Sequence, residues 1–305
     1  IDTGVEHGTV TIMCKNYKFE ITTLRKDVKT DGRHAEVAFT DDWHEDSSRR
    51  DFTINAIYLD IKGNFFDPQN GINDLKKNSI KFIGDPAQRI SEDYLRIIRF
   101  IRFSLQYNNE KSEDVTIEAI KLKLNGIKNL SKERVLFELI KILKLKNFNK
   151  IIFNSHLLDI FQIIFPELKY LKRLNKFNTF DNEESNFDKE LILATLLVDE
   201  TNNHEYFCHK YKVSNYLKET LHSFAKFYKL FKSDKSYFKN NLKNDIYYSG
   251  KDMTKKYVIF SYLENENLKI SYLNQNLNLL KKIHIPEFPF NGKYLMQKGF
   301  AEGKN

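Results

Sequence analysis

Between Ile90 and Phe103 the chain reads ISEDYLRIIRFIRF, and this phrase constrains the fold more than any other. Asp93, Arg96, Arg99 and Arg102 recur every third residue, while Leu95, Ile98 and Ile101 keep a complementary spacing. A helical period gathers the charged residues into one slowly drifting stripe and the aliphatic residues onto a packing side. Ser91 is placed to cap this helix, with Glu92 and Asp93 in the first turn, where the helix dipole favours acids. Asp offers only acceptors and Arg only donors. Asp93 and Arg96 on one face can therefore match the edge of a cytosine or an adenine, with Arg99 and Arg102 reaching towards phosphates. A solvated ion-pair face uses the same pattern, so the stripe alone leaves both readings open.

A helix with so apolar a side needs a core, and the pattern downstream supplies one. Ser131 starts a second helix in which Val135, Leu136, Leu139, Ile140 and Leu143 keep helical spacing. To about Leu280 the chain is rich in Lys and Asn, with Leu, Phe and Tyr at helical intervals and almost no Pro. Upstream of Asp85 the pattern is different. Val10, Ile12 and Cys14 alternate with Thr9, Thr11 and Met13; after a Lys15-Asn16 turn, Phe19 and Ile21 alternate with Glu20 and Thr22. This predicts a β-hairpin with one buried face. The polar stretch Asp27–Asp46 reads as a mobile loop, and RRDFTINAIYLD and GNFFDPQNGINDL as short elements separated by turns. The expected fold class is α+β: a small head over residues 1–85, a helical neck over 86–145, and a helical body and tail over 146–305.

The 305 residues carry a net charge of +8, which favours a polyanionic partner. The distribution is more telling than the total. There are 39 Lys spread along the chain but only 10 Arg, six of them between positions 49 and 102. Arg carries the planar fork that pairs with phosphates and base edges, so the chemistry is expected in that window. It includes SRRDFTINA, where Arg49, Arg50, Asp51 and Asn55 suit ribose and triphosphate; alone, that phrase reads as a capped helix with a salt bridge.

Other function classes receive less support. No apolar run approaches the roughly 20 residues of a bilayer span. Cys14 and Cys208 share no short spacing, which fits a reducing cytoplasm rather than a disulfide framework. His204, Cys208 and His209 are the nearest thing to a metal cluster; without a fourth ligand nearby they read as surface and core residues of one helix. Glu20 is a lone strand carboxylate that becomes interesting only if neighbouring carboxylates share Mg²⁺ with it.

Seven phrases, TGVEHGTV, FEITTLR, DGRHAEVAF, EDSSRRDFTINA, DPQNGINDL, RISEDYLRIIRFIRF and LSKERVLFEL, stand in this order over roughly the first 145 residues. The series resembles the class II tRNA nucleotidyltransferases (CCA-adding enzymes) and their bacterial poly(A) polymerase relatives; IPEFPFNGKYLMQKGFAEGK resembles a tail element of the same family. The resemblance implies template-independent addition of C and A to tRNA 3′ ends from CTP and ATP, with Mg²⁺ as the cofactor of the full-length enzyme. Arg49, Arg50, Asp51 and Asn55 would hold ribose and triphosphate. Asp93 and Arg96 would read the base, and Arg99 would contact phosphates or orient that pair. Glu20 would be a third catalytic carboxylate. Asp67, Gly71 and Asp74 would form the hinge between head and neck, and Glu133 and Arg134 would buttress the base-reading helix. The Asp27–Asp42 loop would be the flexible loop used in switching from C to A addition, and the Lys-rich helices would grip tRNA by shape and phosphate contacts.

The family's Gly-rich phrase and Asp-x-Asp metal pair precede TGVEHGTV and are not among these residues. Because the chain opens on Ile1 rather than Met, more sequence is expected upstream, and the chain as it stands is expected to bind nucleotide without transferring it. Poly(A) synthesis and a non-catalytic RNA-binding remnant are the alternatives. None of the eight His is followed by Asp, so a metal-dependent phosphohydrolase activity is not expected.

Overall fold

The computed structural model describes residues 8–31, 34–109, 113–180, 187–234, 236–284 and 292–301. Most of TGVEHGTV and parts of the tail phrase lie outside these residues.

The N-terminal region consists of small antiparallel pairs. Strands β1 (Thr9–Cys14) and β2 (Tyr17–Thr22) pair from Thr9–Thr22 to Cys14–Tyr17, and Lys15 turns the chain with φ +53°. The pairing follows the alternation in the sequence, but the burial does not. Val10, Ile12, Phe19 and Ile21 are 42–56% exposed, and among the described residues no element covers their face; only Thr11, on the opposite face, is buried. The stretch expected to be a mobile loop forms a second antiparallel pair, β3 (Arg25–Asp31) with β4 (His34–Phe39). Its polar composition hid it, because backbone pairing does not need an apolar alternation.

Helix α1 (Trp43–Ser48) follows, capped by the Asp42 side chain on the His44 N–H. A 3-10 turn (Thr53–Asn55), the short pair β5 (Tyr58–Leu59) and β6 (Phe65–Phe66), and helix α2 (Gly71–Lys76) complete the head. Gly71 is required here: a Cβ would lie 2.2 Å from the Thr53 carbonyl oxygen.

The expected single helix over 91–103 is two helices. Asp85, not Ser91, caps the first, α3 (Pro86–Glu92): its carboxylate accepts from the Gln88 N–H, and Pro86 occupies the first turn. Ser91 lies near the end of α3 and donates to the Ala87 carbonyl. Asp93 then turns extended (φ −152°, ψ 105°) and breaks the helix; its carboxylate and carbonyl accept from the Leu95 and Arg96 N–H groups at the start of α4 (Leu95–Gln106). Tyr94 at the break lies against Gly126, where a Cβ would sit 2.0 Å from the tyrosine ring.

The remainder is helical: α5 (Asp114–Lys123), α6 (Lys132–Leu143), α7 (Ser155–Ile164), α8 (Lys189–Leu197), α9 (Asn203–Tyr211), α10 (Asn215–Ser233), α11 (Tyr237–Glu264, kinked at Gly250 with φ +81°), α12 (Ile270–Lys282) and α13 (Gly292–Gln297), with 3-10 turns at 124–129, 148–153 and 171–179. One hydrophobic core runs from Phe52 through α4, α6, α7 and α8 to Leu280. Phe52 stacks among Phe82, Phe100 and Phe103, with ring centroids 4.8–6.3 Å apart, and so ties the Arg49–Asn55 segment to the apolar side of α4. From Glu190 to Leu197, α8 is buried all round. Lys176 extends its ammonium to the carbonyls of Tyr262, Asn265 and Leu268, which cap the end of α11. Among the described residues no helix is long and apolar enough to cross a membrane.

Candidate functional site: an arginine cluster around α1, α3 and α4

The last turn of α1 delivers Asp46 into the interior, where its side chain is only 1% exposed. Six donor atoms surround its two oxygens. Arg49 Nε and Nη2 and the Arg25 N–H reach Oδ1 at 2.9, 2.7 and 3.1 Å. Arg50 Nε and Nη2 and the Tyr58 hydroxyl reach Oδ2 at 3.2, 2.8 and 2.8 Å. Helical geometry makes this arrangement, because Asp46 stands three and four residues before the two arginines. Burial opposes the charge on Asp46, but the hydrogen bonds from Arg50, Arg49, Tyr58 and Arg25 together outweigh it and hold the carboxyl well below its usual range. The same burial, with the bond to Asp46, pushes the Tyr58 hydroxyl up to about 12.

Asp51 forms the next link. Its Oδ1 accepts from the Phe52 N–H and from Asn55 Nδ2, and its Oδ2 pairs with Arg99 Nη2 at 2.7 Å. Arg99 is thereby drawn from α4 towards the Arg49–Asn55 segment. Arg89 of α3 closes the group from below: it donates to the carbonyls of Arg49 and Arg50 and pairs with Glu92. Five guanidinium groups (Arg49, Arg50, Arg89, Arg96 and Arg99) face three carboxylates (Asp46, Asp51 and Glu92), a surplus of two positive charges. Exposure separates those tied up internally from those facing solvent. Arg50 and Arg99 are 37% and 35% exposed, against 16% for Arg49 and 13% for Arg96. Such a rigid, net cationic surface suits a polyphosphate.

Asp93 and Arg96, both expected to read the base, are engaged with different protein partners. Arg96 turns back to Glu92 at 2.7 Å and to the Arg89 carbonyl, while Asp93 pairs with Arg134 of α6 at 2.7 Å. The helix break at Asp93 is the reason, since it takes the carboxylate off the helical stripe. The acceptor–donor pair that faces solvent is Asp93–Arg134, at 26% and 36% exposure. Arg102 also leaves the stripe. It pairs with the buried Glu138 at 2.8 Å and lies over the Phe103 ring, which joins α4 to α6.

Asp67, Gly71 and Asp74 gather around α2. Asp67 accepts from the N–H groups of Gly71 and Ile72, and the buried Asp74 accepts from the Thr53 hydroxyl at 2.8 Å. The phrase is thus fastened to the Arg49–Asn55 segment. Glu133, in the first turn of α6, is 63% exposed and lies 4.0 Å from Lys212, which follows α9. Glu20 is exposed on β2 and paired with Lys18, whose hydrogen bond and charge lower its pKa. Among the described residues no group of three metal-ligand side chains includes Glu20. Hard dications require several converging oxygens, so these residues do not fit an Mg²⁺ site.

Asp46, Tyr58 and Arg89 were not singled out from the sequence, and Glu92 was noted only as an acid in a helix's first turn. Asp46 carried a usable signal in its spacing to Arg49 and Arg50, but it stood at the end of a stretch read as a loop. Arg89 belonged to the arginine-rich window; its partners, the carbonyls of residues 49 and 50, are 40 and 39 positions away.

The chain is similar in sequence and fold to known proteins. Residues 1–81 match the family described as the Poly A polymerase head domain, and residues 112–172 the probable RNA and SrmB-binding site of polymerase A. The chain is 46% identical over 159 residues to the mitochondrial CCA tRNA nucleotidyltransferase 1 of Homo sapiens, covering 52% of this chain and 37% of that protein. It is 34% identical over 292 residues to the CCA-adding enzyme of Staphylococcus haemolyticus, covering 94% and 70%. The fold matches that of the Bacillus stearothermophilus CCA-adding enzyme in complex with CTP, with a TM-score of 0.72 and 21% identity, over 100% of this chain and 75% of that one. The chain spans about a third of the length of its mitochondrial relatives but over two thirds of the Staphylococcus haemolyticus enzyme. With 34% identity to the staphylococcal enzyme across 94% of its own length and 70% of that protein, the chain belongs to the CCA-adding tRNA nucleotidyltransferase family of poly(A) polymerase-type nucleotidyltransferases.

Proposed function

We propose that this protein selects CTP and ATP with its own side chains and adds C and A to the 3′ end of tRNA without a template. The observation that carries this reading is the interlocked Asp46–Arg49–Arg50 and Asp51–Asn55–Arg99 network beside the Asp93–Arg134 pair. Arg50 and Arg99, each about one-third exposed, contact the triphosphate, while Asp51 and Asn55 sit where a ribose hydroxyl can be bound. Asp93 and Arg134 offer one acceptor and one donor set to the edge of the base. Arg49, Arg96 and Arg102 hold this surface in place through Asp46, Glu92 and Glu138. Pre-formed ion pairs lower the ordering cost of binding, which favours selection by a fixed surface.

The Lys-rich helical body grips tRNA through phosphates, a contact that reads shape rather than sequence. Residues 112–172, which resemble an RNA-binding region, support this assignment. The two free cysteines fit a reducing compartment such as the cytoplasm. Poly(A) synthesis is the second reading, favoured by the description of the head-domain family.

The test is incubation of the N-terminally completed gene product, carrying the Asp-x-Asp pair expected upstream, with tRNA transcripts ending before CCA, all four nucleoside triphosphates and Mg²⁺, followed by sequencing of the 3′ ends. Ordered C, C, A addition supports the proposal. Long A tails on any RNA overturn it in favour of poly(A) synthesis, and RNA binding without extension favours a non-catalytic module.

A further inference from the structure

Helices α9 and α10 bring together three ligand-type side chains that the nucleotide site does not use. His204 and Glu205 lie in the first turn of α9, and His222 lies in the middle of α10. One ring nitrogen from each histidine and one carboxylate oxygen of Glu205 all lie within 4.8 Å of one another, and the two imidazole centroids are 6.0 Å apart. His204 is only 4% exposed, yet neither Nδ1 nor Nε2 has a hydrogen-bond partner. Buried imidazoles ordinarily pair at least one nitrogen, so an unpartnered one needs a reason. The reason is visible beside it: His204 lines a cavity of about 620 Å³ that also takes in Glu205 and His222.

We propose that His204, Glu205 and His222 form a binding site for a borderline transition-metal dication of the Zn²⁺ class, which staples α9 to α10. Two imidazoles and one carboxylate suit such an ion, whereas Mg²⁺ and Ca²⁺ prefer all-oxygen shells. Metal–ligand bonds of about 2.0–2.2 Å require the donor atoms to close in from their present spacing. Glu205 is exposed and His222 half-buried, so both can turn inwards while His204 stays fixed. Cys208 and His209 line the same cavity but stand outside the converging set, so the site differs from the one-helix His204–Cys208–His209 cluster suggested by spacing along the chain. Lys212 and Lys218 at the cavity oppose a cation, while Glu205 and Glu219 offset them.

The test is calorimetric titration of the chelator-treated chain with Zn²⁺, paired with the visible spectrum of its Co²⁺ form. One equivalent bound, a Co²⁺ spectrum of nitrogen-ligand type and a raised melting temperature are expected. Binding should disappear in His222→Ala and weaken by roughly tenfold or more in the exposed Glu205→Ala variant. Excess Mg²⁺ should not compete. Circular dichroism checks that each variant folds, and Glu205→Ala carries the test if His222→Ala does not. Absence of saturable binding, or equal affinity in a folded variant, overturns the proposal.

Discussion

Replacing Asp46 by Asn removes one charge and leaves the surrounding shape almost unchanged, so it isolates what that carboxylate holds together. In the native chain its oxygens accept from Arg49, Arg50, Tyr58 and the Arg25 backbone. The amide keeps one acceptor oxygen but turns an NH₂ group towards donors. Breaking a buried pair by removing one partner costs about 3–5 kcal/mol. Arg50 is 37% exposed and recovers part of its hydration, so its share is discounted. Arg49, at 16%, carries most of the effect, and about 3 kcal/mol is expected in total. For a chain of this size that corresponds to a melting temperature lower by roughly 5 °C.

The loss has a pH signature. The folded Asp46 carboxyl lies below its ordinary value of 3.8, so its contribution is complete above that value. It fades as the pH falls below 3.8 towards the lower folded pKa. Urea unfolding from pH 7 to pH 3 should therefore show the gap between native and Asp46→Asn protein narrowing only at the acid end. A difference under about 1 kcal/mol at pH 7, or a gap that does not change with pH, refutes the view that Asp46 organises the arginines.

Three further outcomes follow from the same contacts. Arg134→Ala should free Asp93 and reduce discrimination of CTP and ATP against UTP and GTP by about 1–3 kcal/mol, whereas Arg96→Ala should act mainly on stability; competition binding with the four nucleotides distinguishes them. Gly126→Ala should displace Tyr94 and destabilise the helix break by about 1–3 kcal/mol, measured by denaturant unfolding. Replacing exposed Lys of α5 and the 3-10 turn that follows it, such as Lys121 and Lys128, by Ala should weaken tRNA binding and reduce its salt dependence by about one unit of slope per phosphate contact, with nucleotide selection intact.

Local patterns in the sequence were legible where local physics decides. The alternation of Val10, Ile12, Phe19 and Ile21 predicted the β1–β2 pair, and the spacing of Leu95, Ile98 and Ile101 predicted the buried side of α4. What depended on distant partners was not. The helix break at Asp93 accompanies a pair with Arg134, 41 residues on, and close approach of Tyr94 to Gly126. Spacing that fits one continuous helix cannot register either contact. The hairpin's exposure on the face carrying Phe19 is likewise a tertiary fact that alternation does not encode. The β3–β4 pair was missed because its residues carry turn and charge signals rather than a two-residue apolar period. Asp93, Arg99, Asp51 and Asn55 were named from motif and charge, but which residue pairs with which came only from the fold.

The central claim is that protein side chains, not a nucleic-acid strand, choose the nucleotide. Its most direct measurement is equilibrium binding of CTP, ATP, GTP and UTP to the chain in the absence of RNA, for the native protein and for Asp93→Ala. CTP and ATP should bind more tightly than GTP and UTP, by about tenfold or more, and Asp93→Ala should erase that difference while leaving triphosphate affinity largely intact. Equal affinity of the native protein for all four nucleotides, or a preference that survives Asp93→Ala, would contradict it.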